Sequence, residues 1–181
     1  MIFPCFGRKP RDPDTISALY GMIVAQARLP CFYREYAVAD TVNGRFDLLV
    51  LHLAAVLDRL GEEAELRELG QALFDRFCQD MDHNLREMGI GDLSVPKEMQ
   101  RMGEAFYGRA QAYKAALVAS AQDALVEALT RNIYGGAPPT EAAPVRLAAY
   151  MREAVRVLKT QRAAGFLSGA LDLPDPATVI V

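Results

Sequence analysis

The feature that most constrains the fold is a regular recurrence of apolar residues between positions 66 and 88. The spacing of three or four positions is that of an amphipathic α-helix with one buried face. The recurring residues are Leu66, Leu69, Leu73, Phe77, Met81, Leu85 and Met88. Gly89 follows directly, and glycine readily adopts the left-handed conformation found just past a helix C-terminus. Arg86 complements the negative end of the helix dipole. The pattern therefore predicts a helix that ends at Gly89.

A second helix is predicted to begin at Pro96, after a corner formed by residues 90–95. Proline is tolerated in the first turn of a helix, and Ser94 or Asp92 can accept hydrogen bonds from the open N–H groups there. The apolar row of this helix comprises Met99, Met102, Phe106, Tyr113 and Leu117. Because the pattern continues toward Arg131, we predict one long element. The two helices then form a hairpin.

Three further stretches have the same periodicity and no stretch has the sustained alternation of a strand. The first begins near Asp14 or Thr15 and ends before Pro30, and the others span residues 43–60 and 141–163. The fold class predicted is all-α, a single helical domain of five or six helices organised around the hairpin. The predicted boundaries are a flexible N-terminal segment at 1–13, the helical domain at 14–164 and an extended C-terminal tail at 165–181.

Polar residues are dense around the corner of the hairpin. They are Asp80, Asp82, Arg86, Glu87, Asp92, Lys97, Arg101, Tyr107 and Arg109. Three interpretations stay open. The residues form an ordinary solvated face, they bind a partner chain through charge-assisted hydrogen bonds, or they pair internally. The internal pairing would join Asp82 or Glu87 to Arg109.

Three motifs within this stretch resemble the ubiquinol-cytochrome c chaperone family. They are Asp80-Met81-Asp82, the corner L-R-E-M-G-I-G-D-L-S-V-P-K at residues 85–97, and Tyr107-Gly108-Arg109. The resemblance covers roughly residues 30–134. It implies a non-catalytic assembly factor for respiratory complex III with newly made cytochrome b as its client. It also makes the nine polar residues candidates for partner binding.

The carboxylates do not suit an enzyme of the isoprenoid synthase type. Asp75 and Asp80 lie five positions apart and Asp80 and Asp82 two, whereas a magnesium diphosphate site needs carboxylates on one helix face. The two histidines, His52 and His83, lie on different predicted helices, so no metal site is expected. We expect no catalysis and no cofactor. We expect His52 to be a hydrogen-bonded residue at the edge of the core. The alternative function is an all-α prenyl-substrate or lipid-binding protein, which a deep apolar cavity with inward carboxylates would favour.

Charge and hydropathy limit the location. The net charge of −3 does not favour nucleic-acid binding. The longest apolar run, residues 48–57, is much shorter than the ~20 residues of a membrane-spanning helix. We expect a cytoplasmic protein. The first eleven residues are either a frayed terminus or a peripheral contact with the inner face of the cytoplasmic membrane, in which apolar side chains enter the headgroup region and cations meet anionic lipid. The residues concerned are Ile2, Phe3, Phe6, Arg8, Lys9 and Arg11. The sequence leaves the oligomeric state open.

Overall fold

The computed structural model describes residues 12–119 and 123–179, and within these ranges the chain forms eight α-helices and no strand. In chain order they are α1 (Pro13–Ala27), α2 (Pro30–Arg34), α3 (Val42–Glu62), α4 (Arg67–Glu87), α5 (Val95–Val118), α6 (Asp123–Ile133), α7 (Ala142–Thr160) and α8 (Ala163–Leu167). Short 3₁₀ turns occur at Ala64–Leu66 and Pro176–Thr178. The all-α fold class is confirmed. There are more helices than the predicted five or six, because the prediction did not include the two five-residue helices α2 and α8.

Helix α3 is the centre of the molecule. It packs against α1, α4, α5, α6 and α7. A helix surrounded in this way must be apolar on nearly every side, which explains the run of apolar residues at 48–57. Its start is fixed by Thr41, whose hydroxyl oxygen accepts a hydrogen bond from the Gly44 amide at 3.1 Å. The core of the domain therefore lies around α3.

His52 lies inside this core rather than at its edge, because α7 covers the side of α3 that the sequence left open. The side chain is 2 % exposed. Its Nδ1 lies 2.7 Å from the Leu48 carbonyl oxygen, and its Nε2 lies 2.8 Å from the Tyr150 hydroxyl oxygen. A neutral imidazole satisfies both partners by donating to the carbonyl and accepting from the hydroxyl. Burial lowers the pKa of His52 to about 4.

The prediction that the second helix of the hairpin is one long element is wrong. Helix α5 ends at Val118, since Ala119 has an extended backbone with ψ 139°, and α6 begins at Asp123. The sequence does contain a signal for a new helix here, Ser120-x-x-Asp123, a pattern typical of a helix N-terminus. The interruption lets α6 pack against α5, α7 and α3.

The C-terminal region packs on the domain. The predicted boundary after residue 164 falls inside α8, whose Phe166 is buried. Arg59 lies over the Phe166 ring, with its guanidinium carbon 5.4 Å from the ring centroid. The same side chain donates hydrogen bonds to the carbonyl oxygens of Leu158 and Gln161 at the end of α7. Arg59 thus satisfies carbonyl groups that a helix end leaves open.

Candidate functional site

The α4–α5 corner is built by a glycine with a left-handed backbone. Gly89 has φ 81°. Its amide donates to the Arg86 carbonyl at 3.0 Å, and the Ile90 amide donates to the Leu85 carbonyl at 3.1 Å. These bonds close α4 as predicted. Ser94 occupies the N-cap position of α5, but its side chain accepts no hydrogen bond from the helix.

Arg86 organises the charges of the corner. Its guanidinium donates to both carboxylate oxygens of Asp82, at 2.7 and 3.2 Å, and to the Asp92 carboxylate across the turn. This pairing lowers the pKa of Asp82 below its ordinary value. All three side chains are exposed by 41 % or more. The network therefore orders a surface loop and stays available to solvent.

The other charged residues of the corner are also on the surface. Glu87 Oε1 lies 3.1 Å from His83 Nε2 on α4, and Arg101 Nη1 lies 3.1 Å from Glu98 Oε1 on α5. Lys97 is exposed and forms no ion pair with any residue in the described ranges. This lysine is a cation that an outside partner can reach.

Two large apolar side chains stand out from the same corner. Leu93 is 99 % exposed and Met88 is 62 % exposed. Of the four methionines near the corner, Met88 alone is exposed, since Met81 is buried and Met99 and Met102 are half-buried. Exposed apolar side chains on the same turn as exposed charged ones are a feature of interaction surfaces.

Asp80 is half-buried and faces helix α1 rather than the corner surface. Its carboxylate accepts a hydrogen bond of 2.9 Å from the Tyr20 hydroxyl on α1. Arg76 lies over the Tyr20 ring, with its guanidinium carbon 5.7 Å from the centroid. Burial and the Asp80 carboxylate raise the pKa of the Tyr20 hydroxyl. Asp80 therefore ties α4 to α1.

Tyr107 and Arg109 lie farther along α5, away from the corner. Tyr107 packs on Phe74 of α4, with ring centroids 5.5 Å apart. Arg109 does not pair with Asp82 or Glu87 as suggested from the sequence; its Nη2 lies 2.9 Å from Asp47 Oδ1 on α3. The pairing differs because the middle of α5 crosses α3, whereas both suggested carboxylates lie at the end of α4.

The Asp47–Arg109 pair is a buried ion pair that sequence inspection missed. Burial raises the pKa of Asp47 to about 6, although Arg109 acts to lower it. The only partner of Asp47 Oδ1 among the described residues is the Arg109 guanidinium, and neither Arg109 Nε nor the Tyr113 hydroxyl has a hydrogen-bond partner among them. Such groups are costly to bury. The one sequence signal for it is that Asp47 directly precedes the mainly apolar run at residues 48–57.

A cleft of about 470 Å³ lies between α3, α5 and α7. Its walls include Ala54, Leu57, Phe106, Ala110 and Met151. Its two carboxylates are partly exposed and paired with lysines, Asp58 with Lys114 at 2.5 Å and Glu62 with Lys159 at 3.5 Å. The cleft combines apolar walls with paired charges.

The nine predicted residues thus fall into two groups. Those at the surface of the corner are Asp82, Arg86, Glu87, Asp92, Lys97 and Arg101. Those that pack between helices are Asp80, Tyr107 and Arg109. The six residues of the suggested membrane contact lie outside the described residues. In the part of the chain that the structure describes, no helix is long and apolar enough to cross a membrane.

Comparisons with known proteins agree with the resemblance noted in the sequence. The family model described as ubiquinol-cytochrome C chaperone matches residues 34–173. The crystal structure of the Cbp3 homolog from Brucella abortus is similar to this chain, with a TM-score of 0.84, 38 % sequence identity and 92 % of each chain covered. A comparison with curated proteins finds no match. This chain belongs to the ubiquinol-cytochrome c chaperone family.

Proposed function

We propose that this protein is a non-catalytic assembly chaperone for respiratory complex III and that newly made cytochrome b is its client. The observation that carries the proposal is the family match over residues 34–173, supported by the similarity to the Cbp3 homolog across 92 % of the chain. Loss of the protein should deplete assembled complex III and leave the other respiratory complexes largely intact. Native gels of a deletion strain test this expectation, and normal complex III levels would refute it.

The client surface in this proposal is the α4–α5 corner. Leu93 and Met88 offer apolar area, and flexible methionine side chains suit a surface that accepts varied apolar partners. Lys97 and the Arg86 network offer charge around this apolar centre. An apolar centre with a polar rim is the usual anatomy of a protein interface. Asp80, Tyr107 and Arg109 are not part of this surface, since they join α4 and α5 to neighbouring helices.

Two surface variants and a matched control test this assignment. Leu93→Asp and Lys97→Glu should weaken the co-purification of cytochrome b without lowering the melting temperature, because both side chains are exposed. Arg67→Glu is the control, since Arg67 is also an exposed cation in the first turn of a helix but lies at the opposite end of α4. Capture of cytochrome b equal to that of the control would remove the corner from the proposal.

The location in this proposal is cytoplasmic, with the first eleven residues resting on the inner face of the cytoplasmic membrane. Removal of residues 1–11 should lower sedimentation with anionic liposomes, and added salt should have the same effect on the full chain because salt screens the lysine and arginine charges. Binding that is unchanged by either treatment would leave the segment without a membrane role.

The alternative function, binding of a prenyl substrate or a lipid, is less well supported. A diphosphate site would need carboxylates inside the cleft. Asp58 and Glu62 are instead partly exposed and form ion pairs with lysines.

A further inference from the structure

The C-terminal segment 171–179 packs against α1, the residues that follow α2 and the residue that follows α7, a surface here called the tail groove. Three side chains of the groove donate hydrogen bonds to backbone carbonyls of this segment. Gln161 Nε2 bonds the Asp172 carbonyl at 2.9 Å, Gln26 Nε2 bonds the Pro174 carbonyl at 2.7 Å, and the Tyr36 hydroxyl bonds the Pro176 carbonyl at 2.6 Å. The carbonyls belong to alternate residues. This is the period of an extended chain, in which every second residue faces the same side.

The donors of the tail groove are held in place by the core. Gln26 Nε2 also donates to the Tyr150 hydroxyl at 3.0 Å, and this hydroxyl bonds the buried His52 ring. The Tyr36 ring is packed beneath the Arg146 guanidinium, with 4.8 Å between the guanidinium carbon and the ring centroid. The Tyr36 carbonyl accepts a hydrogen bond of 2.8 Å from the Tyr134 hydroxyl. Most of these contacts do not involve the tail, so the binding groups are ordered by the domain itself.

The floor of the groove is aromatic. Phe32 packs against Tyr36 and Tyr150, with ring centroids 5.3 and 4.9 Å apart. Leu171 and Pro176 of the tail are buried. Aromatic side chains that hold apolar residues and proline, combined with hydrogen bonds to alternate carbonyls, are a recurring mode of peptide recognition.

The tail itself has the properties of a bound peptide. Pro174 and Pro176 have no backbone N–H, so the segment presents mainly carbonyl groups and loses little flexibility when it binds. Its contacts with Gln26, Tyr36 and Gln161 are made by side chains to its backbone, and these can accommodate any extended segment with suitable apolar and proline positions.

We propose that the tail groove is a peptide-binding site for an extended segment of a partner protein. The pattern it fits is that of residues 171–176, apolar-x-apolar-Pro-x-Pro. The protein's own tail fills the site as an intramolecular ligand, and a partner segment takes its place. This proposal does not depend on the identity of the client at the α4–α5 corner.

A labelled peptide with the sequence of residues 169–179, GALDLPDPATV, is the probe. The full-length chain with Leu171→Ser and Leu173→Ser holds its own tail less well but keeps the groove intact. It should bind the peptide about tenfold more tightly than the unmodified chain, because an attached competitor has a high effective concentration. Adding Tyr36→Phe should reverse most of this gain. Adding Tyr33→Phe instead is the matched control. It should leave the gain in affinity unchanged, because the Tyr33 hydroxyl donates a hydrogen bond to the Ala27 carbonyl and not to the tail.

A second measurement uses the unmodified chain, in case the tail variant does not fold. Excess unlabelled peptide should move the NMR signal of the Asp172 amide, which donates a hydrogen bond to Gln161 Oε1 in the docked tail, to the position of a free chain. An unmoved signal at millimolar peptide would overturn the proposal, as would equal peptide affinity with and without Tyr36→Phe. A concentration-dependent dimer that the tail variant abolishes would identify the tail of a second copy as the occupant and would also overturn it.

Discussion

Asp47→Asn is the variant that best tests how α3 and α5 are held together. Two effects oppose each other at this carboxylate. Arg109 lies 2.9 Å away and favours the charged form, whereas burial of a side chain that is 11 % exposed favours the neutral form. Burial prevails, since the pKa of Asp47 is raised to about 6 from the 3.8 of an unburied aspartate. Arg109 meets this carboxylate through Nη2, while its Nε has no hydrogen-bond partner among the described residues, so the pair is incompletely bonded and does not offset the loss of water.

The raised pKa has a definite effect on stability. The folded protein holds this proton more tightly than the unfolded chain, so the stabilising contribution is complete below pH 3.8 and is lost as pH rises through about 6. The difference between the two pKa values corresponds to about 3 kcal/mol. Because asparagine does not titrate, the stability of the unmodified chain relative to Asp47→Asn should rise by this order as pH falls from 7 to 4.

Urea unfolding of both proteins at several pH values measures this difference and cancels the groups that they share. Arg109→Met extends the test, because removal of the opposing cation should raise the pKa of Asp47 further and move the transition to higher pH. A relative stability that falls as pH is lowered would mean that the ion pair prevails over burial, and the reasoning would be refuted.

Three further predictions concern single residues. His52→Gln should remove an acid-induced loss of stability of about 3 kcal/mol between pH 6.5 and 4, since the lowered pKa means that only the unfolded chain takes up a proton in this window; urea unfolding at pH 7 and 4.5 measures it. Gly44→Ala should lower the melting temperature strongly, because the new Cβ would lie 2.0 Å from the Ala39 carbonyl oxygen, and an unchanged melting temperature would contradict this close packing. Gly89→Ala should cost only about 1–2 kcal/mol in chemical denaturation, since φ is 81° but no atom lies within 4 Å of the added Cβ.

The parts of the fold that could be predicted depend on residues close together in sequence. The stripe of apolar residues in α4, the glycine at its end and the proline at the start of α5 are local signals, and each occurs where the sequence places it. The interruption after Val118 was missed because the apolar spacing continues on both sides of it. Periodicity reports which face is buried but not whether the backbone stays helical.

The complete burial of His52 was not predictable either, but for a different reason. A helix that contacts five others is buried on every side, and the number of neighbours depends on the whole chain. The partner of its Nε2 atom, Tyr150, lies 98 positions away. The local spacing of apolar residues cannot predict a pairing between residues so far apart in sequence.

The same distinction divides the polar motif on which the family resemblance rests. Asp82 and Arg86 lie four positions apart, and Asp92 is just across the turn, so helix geometry and the Gly89 corner bring these charges together without help from the rest of the fold. Arg109 has no local carboxylate partner and instead meets Asp47 on α3. A pair that is exposed and local adds little stability, whereas a buried pair between helices fixes how they pack and is costly to break. The motif residues therefore serve two purposes, since Asp82, Arg86 and Asp92 shape an exposed corner, whereas Arg109 joins α5 to the central helix.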